Sequence, residues 1–193
     1  MAAQDVHNPA EGYVQTPHPV QGLPRVVRHI TGHDAEGKSV FLSTDISDHH
    51  RELVDKPAIA NIIYSTGQHP VDLDGAVDVK FGHENEPGIS VKNGTVCRMI
   101  DFAPGGVSAM HRVQSLDYAV RGDIAIQRST SHWWINVTGN GLLPARILFV
   151  LLDTKDLNVA GNQVDTSLGV LSKDYVRLPG HAFRDNDYME SEF

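Results

Sequence analysis

Glycine or proline punctuates every short apolar run of this chain, and nowhere does helical spacing persist for more than about two turns. That property restricts the fold more than any other. With valine and isoleucine frequent among the runs, it predicts an all-β domain. Residues 25–31, 39–44 and 58–65 read as strands, with 32–38 as a connecting turn and 82–88 as a loop. The unbroken apolar run 142–153 reads as a buried final strand. One segment, 48–57, predicts a short helix stopped at Pro57. At 193 residues without a compositional break, the chain is long enough for one domain with a substantial core. The expected division is an N-terminal arm over 1–22, a β core over 23–155 and a C-terminal extension over 156–193 with a mobile acidic end.

Several function classes are excluded or disfavoured. A formal charge of −8 argues against nucleic-acid binding through a basic surface, and the PRVVRH cluster is too short to reverse that. No apolar run approaches membrane-spanning length, and the first fifteen residues are polar rather than signal-like. The single Cys97 cannot form an internal disulfide, which favours a reducing, cytoplasmic setting and a role as a small core residue.

The chemistry concentrates in residues 102–136. His111 follows a Pro-Gly-Gly turn, Asp117 lies six residues on, and His132 precedes Trp133, Trp134 and Asn136. Two imidazoles and a carboxylate are the ligand set of facial-triad metal sites. On a straight strand His111 and Asp117 would lie roughly 20 Å apart, so a shared site requires a reversal. Gln114-Ser115 is a permissive place for it. His132 would then arrive from a neighbouring strand. The alternative is a pair of ordinary hydrogen-bonded histidines needing no metal. By strand parity Trp134 shares the face of His132 and would line the cavity, while Trp133 and Tyr118 point away. Arg112 and Arg128 flank the region, and an arginine there could anchor an acidic or enolate oxygen. His49 and His50 read as a solvated pair, and His83 and Glu84 as loop residues, rather than as ligands.

The same residues carry a resemblance. Asp101, Phe102, Pro104, Gly105, Ser108, Met110, His111, Arg112, Ser115, Asp117 and Tyr118 stand in the order of the first motif of small single-domain fungal cupins. Gly122, Asp123, Gln127, Arg128, Thr130, His132, Trp134 and Asn136 stand in the order of the second. The likeness directly covers about a third of the chain. It implies a cupin β-barrel or jelly roll, complete or not. It further implies an enzyme tailoring a polyketide-type secondary metabolite by oxidation, dehydration, isomerisation or decarboxylation. His111, Asp117 and His132 would hold divalent Fe, Mn or Zn, with Gln114, Trp134 and Arg128 against the substrate.

The chain also departs from that pattern. Val113 stands where metal-binding cupins place a second histidine, Asp117 replaces a glutamate, and Ser129 replaces a glycine. Only Ala119, Val120 and Arg121 separate Tyr118 from Gly122, where the family has about twenty more residues, roughly two strands with their turns. Barrel closure couples strand number to stagger, so other segments must fill the gap, or the barrel stays open, or a partner closes it. The shortened link predicts a homodimer in which residues 25–44 help cover a sheet of the partner. A metal-free cupin remains the alternative, with His132 and Asp117 in acid–base roles or the cavity acting only as a small-molecule binding site.

Overall fold

The structure is a computed structural model that describes residues 20, 22–53 and 58–175. Most of the expected arm, 1–22, and the end of the extension, 176–193, lie outside the described residues. Strands β1 (Arg28–His33) and β2 (Ser39–Asp45) form a separate antiparallel hairpin. Six more strands build the main sheet: β3 (His49–Leu53), β4 (Ala58–Thr66), β5 (Thr95–Phe102), β6 (Ser115–Arg121), β7 (Asp123–Arg128) and β8 (Ala145–Asp153). Their spatial order is β3-β4-β5-β8-β6-β7, antiparallel throughout. A helix, α1 (Val77–Glu84), and a small hairpin of β9 (Leu157–Val159) and β10 (Asn162–Val164) complete the elements.

Strands β5, β6 and β8 alternate as a half-buried antiparallel sheet should, whereas β4 is buried on both faces. Val96, Ile100 and Phe102 of β5 face inward with Ile147, Phe149 and Leu151 of β8 and Ala58, Ala60 and Ile62 of β4. Fully burying each large apolar side chain contributes about 1.5–3 kcal/mol, so this face carries most of the fold's stability. A second layer covers it with almost no regular ladder. Val107 bridges Ile135, His111 bridges His132, and Arg112 bridges Ser167. Ala109 and Val113 of that layer pack with Leu168, Leu171 and Tyr175 in a second core cluster. Thus part of the 156–193 segment lies inside the core. The valine in place of a cupin histidine has a packing reason there: it is buried among these apolar neighbours.

Three expectations need correction, the smallest being the loop at 82–88, whose first three residues end α1. Residues 48–57 do not begin a helix, because His49–Leu53 forms β3 and pairs residue for residue with β4, from His49 opposite Ile62 to Leu53 opposite Ala58. Pairing with an existing strand overrides the weak local preference. Nor is the strand within 142–153 the last one, since β9 and β10 follow, and its inner and outer faces alternate rather than both being fully buried. The short link after Tyr118 is a direct hairpin. Arg121 faces Asp123 across Gly122, whose φ of 97° suits glycine. Gly94 is required for a different reason: a Cβ there would stand 1.9 Å from the Thr66 carbonyl oxygen.

Candidate functional site

Between sheet and covering layer lies a cavity of about 670 Å³, counting the part that opens to solvent. Phe102, Phe149, Leu151 and Ile100 form its sheet wall, and His111, His132, Trp134 and Val113 its cover. Leu171 and Tyr175 close it from the C-terminal side. Asp117 and Arg98 are the charged groups of the sheet wall.

The expected reversal is present. The chain bends at Gln114, the Ser115 amide donates to the Val113 carbonyl, and β6 starts at once. His111 and Asp117 therefore both reach the cavity, from opposite layers. His111 and His132 exchange two backbone hydrogen bonds of 3.0 Å, and their rings stand 4.4 Å apart between centroids, tilted by 59°. Each Nδ1 lies by a backbone carbonyl, Ala109 at 3.0 Å for His111 and Thr130 at 2.8 Å for His132. A carbonyl only accepts, so each Nδ1 donates its proton there and Nε2 is the ring nitrogen left to face the cavity chemistry. Burial drives the His111 pKa down to about 4, helped by the charges of His132 and Arg98 and opposed by the Ala109 carbonyl. His111 is therefore a neutral imidazole near neutral pH.

Asp117 is buried, and its Oδ1 has no hydrogen-bond partner among the described residues. Burial pushes its carboxyl above the usual carboxylate range, against the pull of Ser115, His132 and Arg98. The Ser115 hydroxyl is itself unpartnered, so that pull comes from proximity rather than a formed hydrogen bond. Trp134 stands edge-on to His132 at 6.2 Å and to Phe149 at 5.6 Å, and Trp133 is exposed, as parity requires.

Other expected residues are elsewhere. Gln114 is buried, but its side chain donates to Asp156 at 2.8 Å and does not line the cavity. Arg128 ends β7 on the exposed face, opposite Leu116, and is not part of the lining. Arg112 donates to the Asp165 carbonyl. His49 contacts the Gly82 carbonyl, His50 the Asn61 amide oxygen and His83 the Asp48 carboxylate, so all three have structural partners. Arg98 was not anticipated. Its only sequence signal is a charge at inward parity between Val96 and Ile100.

The hydrogen bonding of the two histidines suits a metal: Nδ1 of each is held by a backbone carbonyl, as the non-ligating ring nitrogen of a metal-bound histidine usually is. The complete triad does not fit as folded. Among the described residues no three His, Cys, Asp or Glu side chains gather in a metal-binding arrangement. What the site offers directly is two imidazoles and a buried carboxylate in an apolar enclosure, a setting suited to moving protons.

No protein-family model matches the chain. Individual proteins match over most of its length. It is 56% identical to the cupin-domain-containing oxidoreductase fogC of Aspergillus ruber, covering 82% of this chain and 87% of that protein. To the cupin-domain-containing oxidoreductase virC of Hypocrea virens it is 49% identical, covering 80% and 88%. It is also 34% identical to the phomopsin biosynthesis cluster protein C' of Diaporthe leptostromiformis, over 74% and 87%. The motifs around His111 and His132, the all-β architecture and these similarities agree, and the chain belongs to the cupin-domain-containing proteins of fungi.

Proposed function

We propose that this chain is an enzyme transforming a small organic molecule in fungal secondary metabolism, as a single cupin domain with its chemistry in the cavity of His111, His132 and Asp117. Two relatives named as oxidoreductases and one named for a biosynthesis cluster support the setting. The observation that carries the site is the imidazole pair, 4.4 Å between ring centroids, in one apolar cavity with a buried, partnerless carboxylate oxygen. Trp134 forms an apolar wall that keeps water from the reacting group.

Two versions divide on metal. In one, His111, Asp117 and His132 hold divalent Fe, Mn or Zn, which would supply Lewis-acid polarisation and, for iron, reactivity with dioxygen. In the other, His132 and Asp117 exchange protons with the substrate directly. That no three ligating side chains gather in a metal-binding arrangement among the described residues favours the second. Elemental analysis of protein purified without added metal decides between them. One equivalent of metal, lost in His132→Ala but kept in His49→Ala and His83→Ala, establishes the metal version; full activity with negligible metal establishes the other. A His132→Ala enzyme with full activity refutes both.

We place the protein in the cytoplasm, in line with its one cysteine; among the described residues no helix is long and apolar enough to cross a membrane. A homodimer is part of the same proposal. Val40, Phe41 and Leu42 are exposed on the β1–β2 hairpin, and Tyr118, Val120, Ile124 and Ile126 form an exposed apolar patch on the β6–β7 hairpin. The first surface covering the second in a partner would remove both from water. A monomer in sedimentation at micromolar concentration refutes this.

A further inference from the structure

The sheet wall of the cavity contains a buried cation with no anion in contact among the described residues; Asp117 shares the cavity and feels the charge of Arg98 without forming an ion pair with it. Arg98 is 3% exposed, at inward parity on β5, and lines the cavity. Its Nη2 donates to the Gly88 and Ile89 carbonyls, both at 2.6 Å, and its Nη1 to the Tyr175 hydroxyl at 3.0 Å. These are neutral acceptors. They account for three of the five N–H groups of a guanidinium. Nε is buried and has no partner among the described residues, and no carboxylate among them forms an ion pair with Arg98. Arginine remains charged in any protein setting, so this site cannot relieve its burial by losing a proton. A buried charge that keeps a free donor costs stability unless something supplies the opposite charge.

Other arginines are treated differently. Arg28 is similarly buried but donates to Asp45 and Asp48, and the half-buried Arg146 makes two bonds to Asp101. Among the described residues, only at the cavity is a buried guanidinium held by carbonyls and a hydroxyl alone. Those contacts fix its orientation without neutralising it.

We propose that Arg98 anchors an anionic oxygen of the substrate, so that the cavity takes an organic acid: a small molecule with an apolar body and one carboxylate, phenolate or enolate. The body lies against Phe102, Phe149 and Trp134, and the anionic oxygen accepts from Nε of Arg98. The rest of the molecule then lies beside His111, His132 and Asp117, which line the same cavity. The inference rests on the cavity being the substrate site and adds the substrate's charge.

Calorimetric titration of the full chain tests it, with benzoate against benzamide and with 4-nitrophenol below and above its ionisation. Wild type binds an anionic probe at least about tenfold tighter than its neutral counterpart. The benzoate pair reports carboxylate preference, and the nitrophenol pair phenolate or enolate preference. Arg98→Met abolishes the difference and Arg98→Lys retains part of it. The wild-type comparison stands even if Arg98→Met, which also loses three hydrogen bonds, fails to fold. Equal affinity for anionic and neutral probes overturns the role of Arg98 and leaves the cavity as a ligand site. Absence of binding by every probe overturns both.

Discussion

The two layers that enclose the cavity are built on different principles. The main sheet joins six antiparallel strands of five to nine residues, with its inner face buried in one apolar cluster. The covering layer has isolated bridges, turns and a wrapped C-terminal segment in place of a ladder. Yet both histidines belong to the cover, whereas the sheet contributes the two charges, Asp117 and Arg98. A ladder defines positions to a fraction of an ångström, which suits charges whose burial must be exact in its compensation. The cover has fewer backbone constraints per residue, and elements of that kind open at lower free energy. Substrate entry is therefore expected from the cover and never through the sheet.

The sharpest test of that contrast is to damage each layer separately. Phe149→Ala in the sheet removes the ring that packs on Trp134 and is expected to cost about 3–5 kcal/mol in urea unfolding. A loss below about 1 kcal/mol would show that the sheet is not the stabilising layer.

The pH response isolates the cover. His111 has an ordinary pKa of 6.5 and a folded one of about 4, so the unfolded chain takes up its proton first. Its contribution is fully present above pH 6.5 and is lost as pH falls from 6.5 toward 4, by at most about 3 kcal/mol. Asp117 acts with the opposite sign, because its raised pKa lets acid relieve an unfavourable buried charge. Unfolding measured across this range should show a net decline in wild type. In His111→Gln the decline should flatten or reverse; an unchanged slope removes His111 from the account.

His132→Ala should separate stability from chemistry. The ring lies at the cavity rather than in the apolar core, so unfolding should shift by no more than about 1 kcal/mol. Turnover should fall about a hundredfold, the usual size of an acid–base contribution. Comparable losses of stability and turnover would make His132 a packing residue. The smallest effect is expected at Arg128→Ala, on the exposed face, with less than about 0.5 kcal/mol in unfolding and no change in ligand affinity.

Much of this arrangement is readable from local pattern. The turn before His111, the bend at Gln114, the opposite facing of Trp133 and Trp134, and the strand character of 58–65 all follow from strand parity and turn chemistry. Three features do not. β3 exists because β4 offers it a ladder, and its own residues resemble a helix start. Gln114 turned from the cavity because Asp156, forty-two positions away, supplies its partner. Arg98 looked like any strand arginine until its neighbours were known to be carbonyls and a tyrosine hydroxyl.

The amino-acid sequence alone determined the family, the all-β class and the identity of the two histidines, because motif order and side-chain alternation are local and survive without coordinates. Tertiary structure decided that Asp117 and the imidazoles share one cavity without gathering into a metal-binding arrangement, that the 166–175 segment closes the cover, and that one buried guanidinium has no carboxylate in contact among the described residues. Those are statements about distance and burial. They depend on which strands become neighbours, a choice made by the whole core at once and by no single stretch of residues.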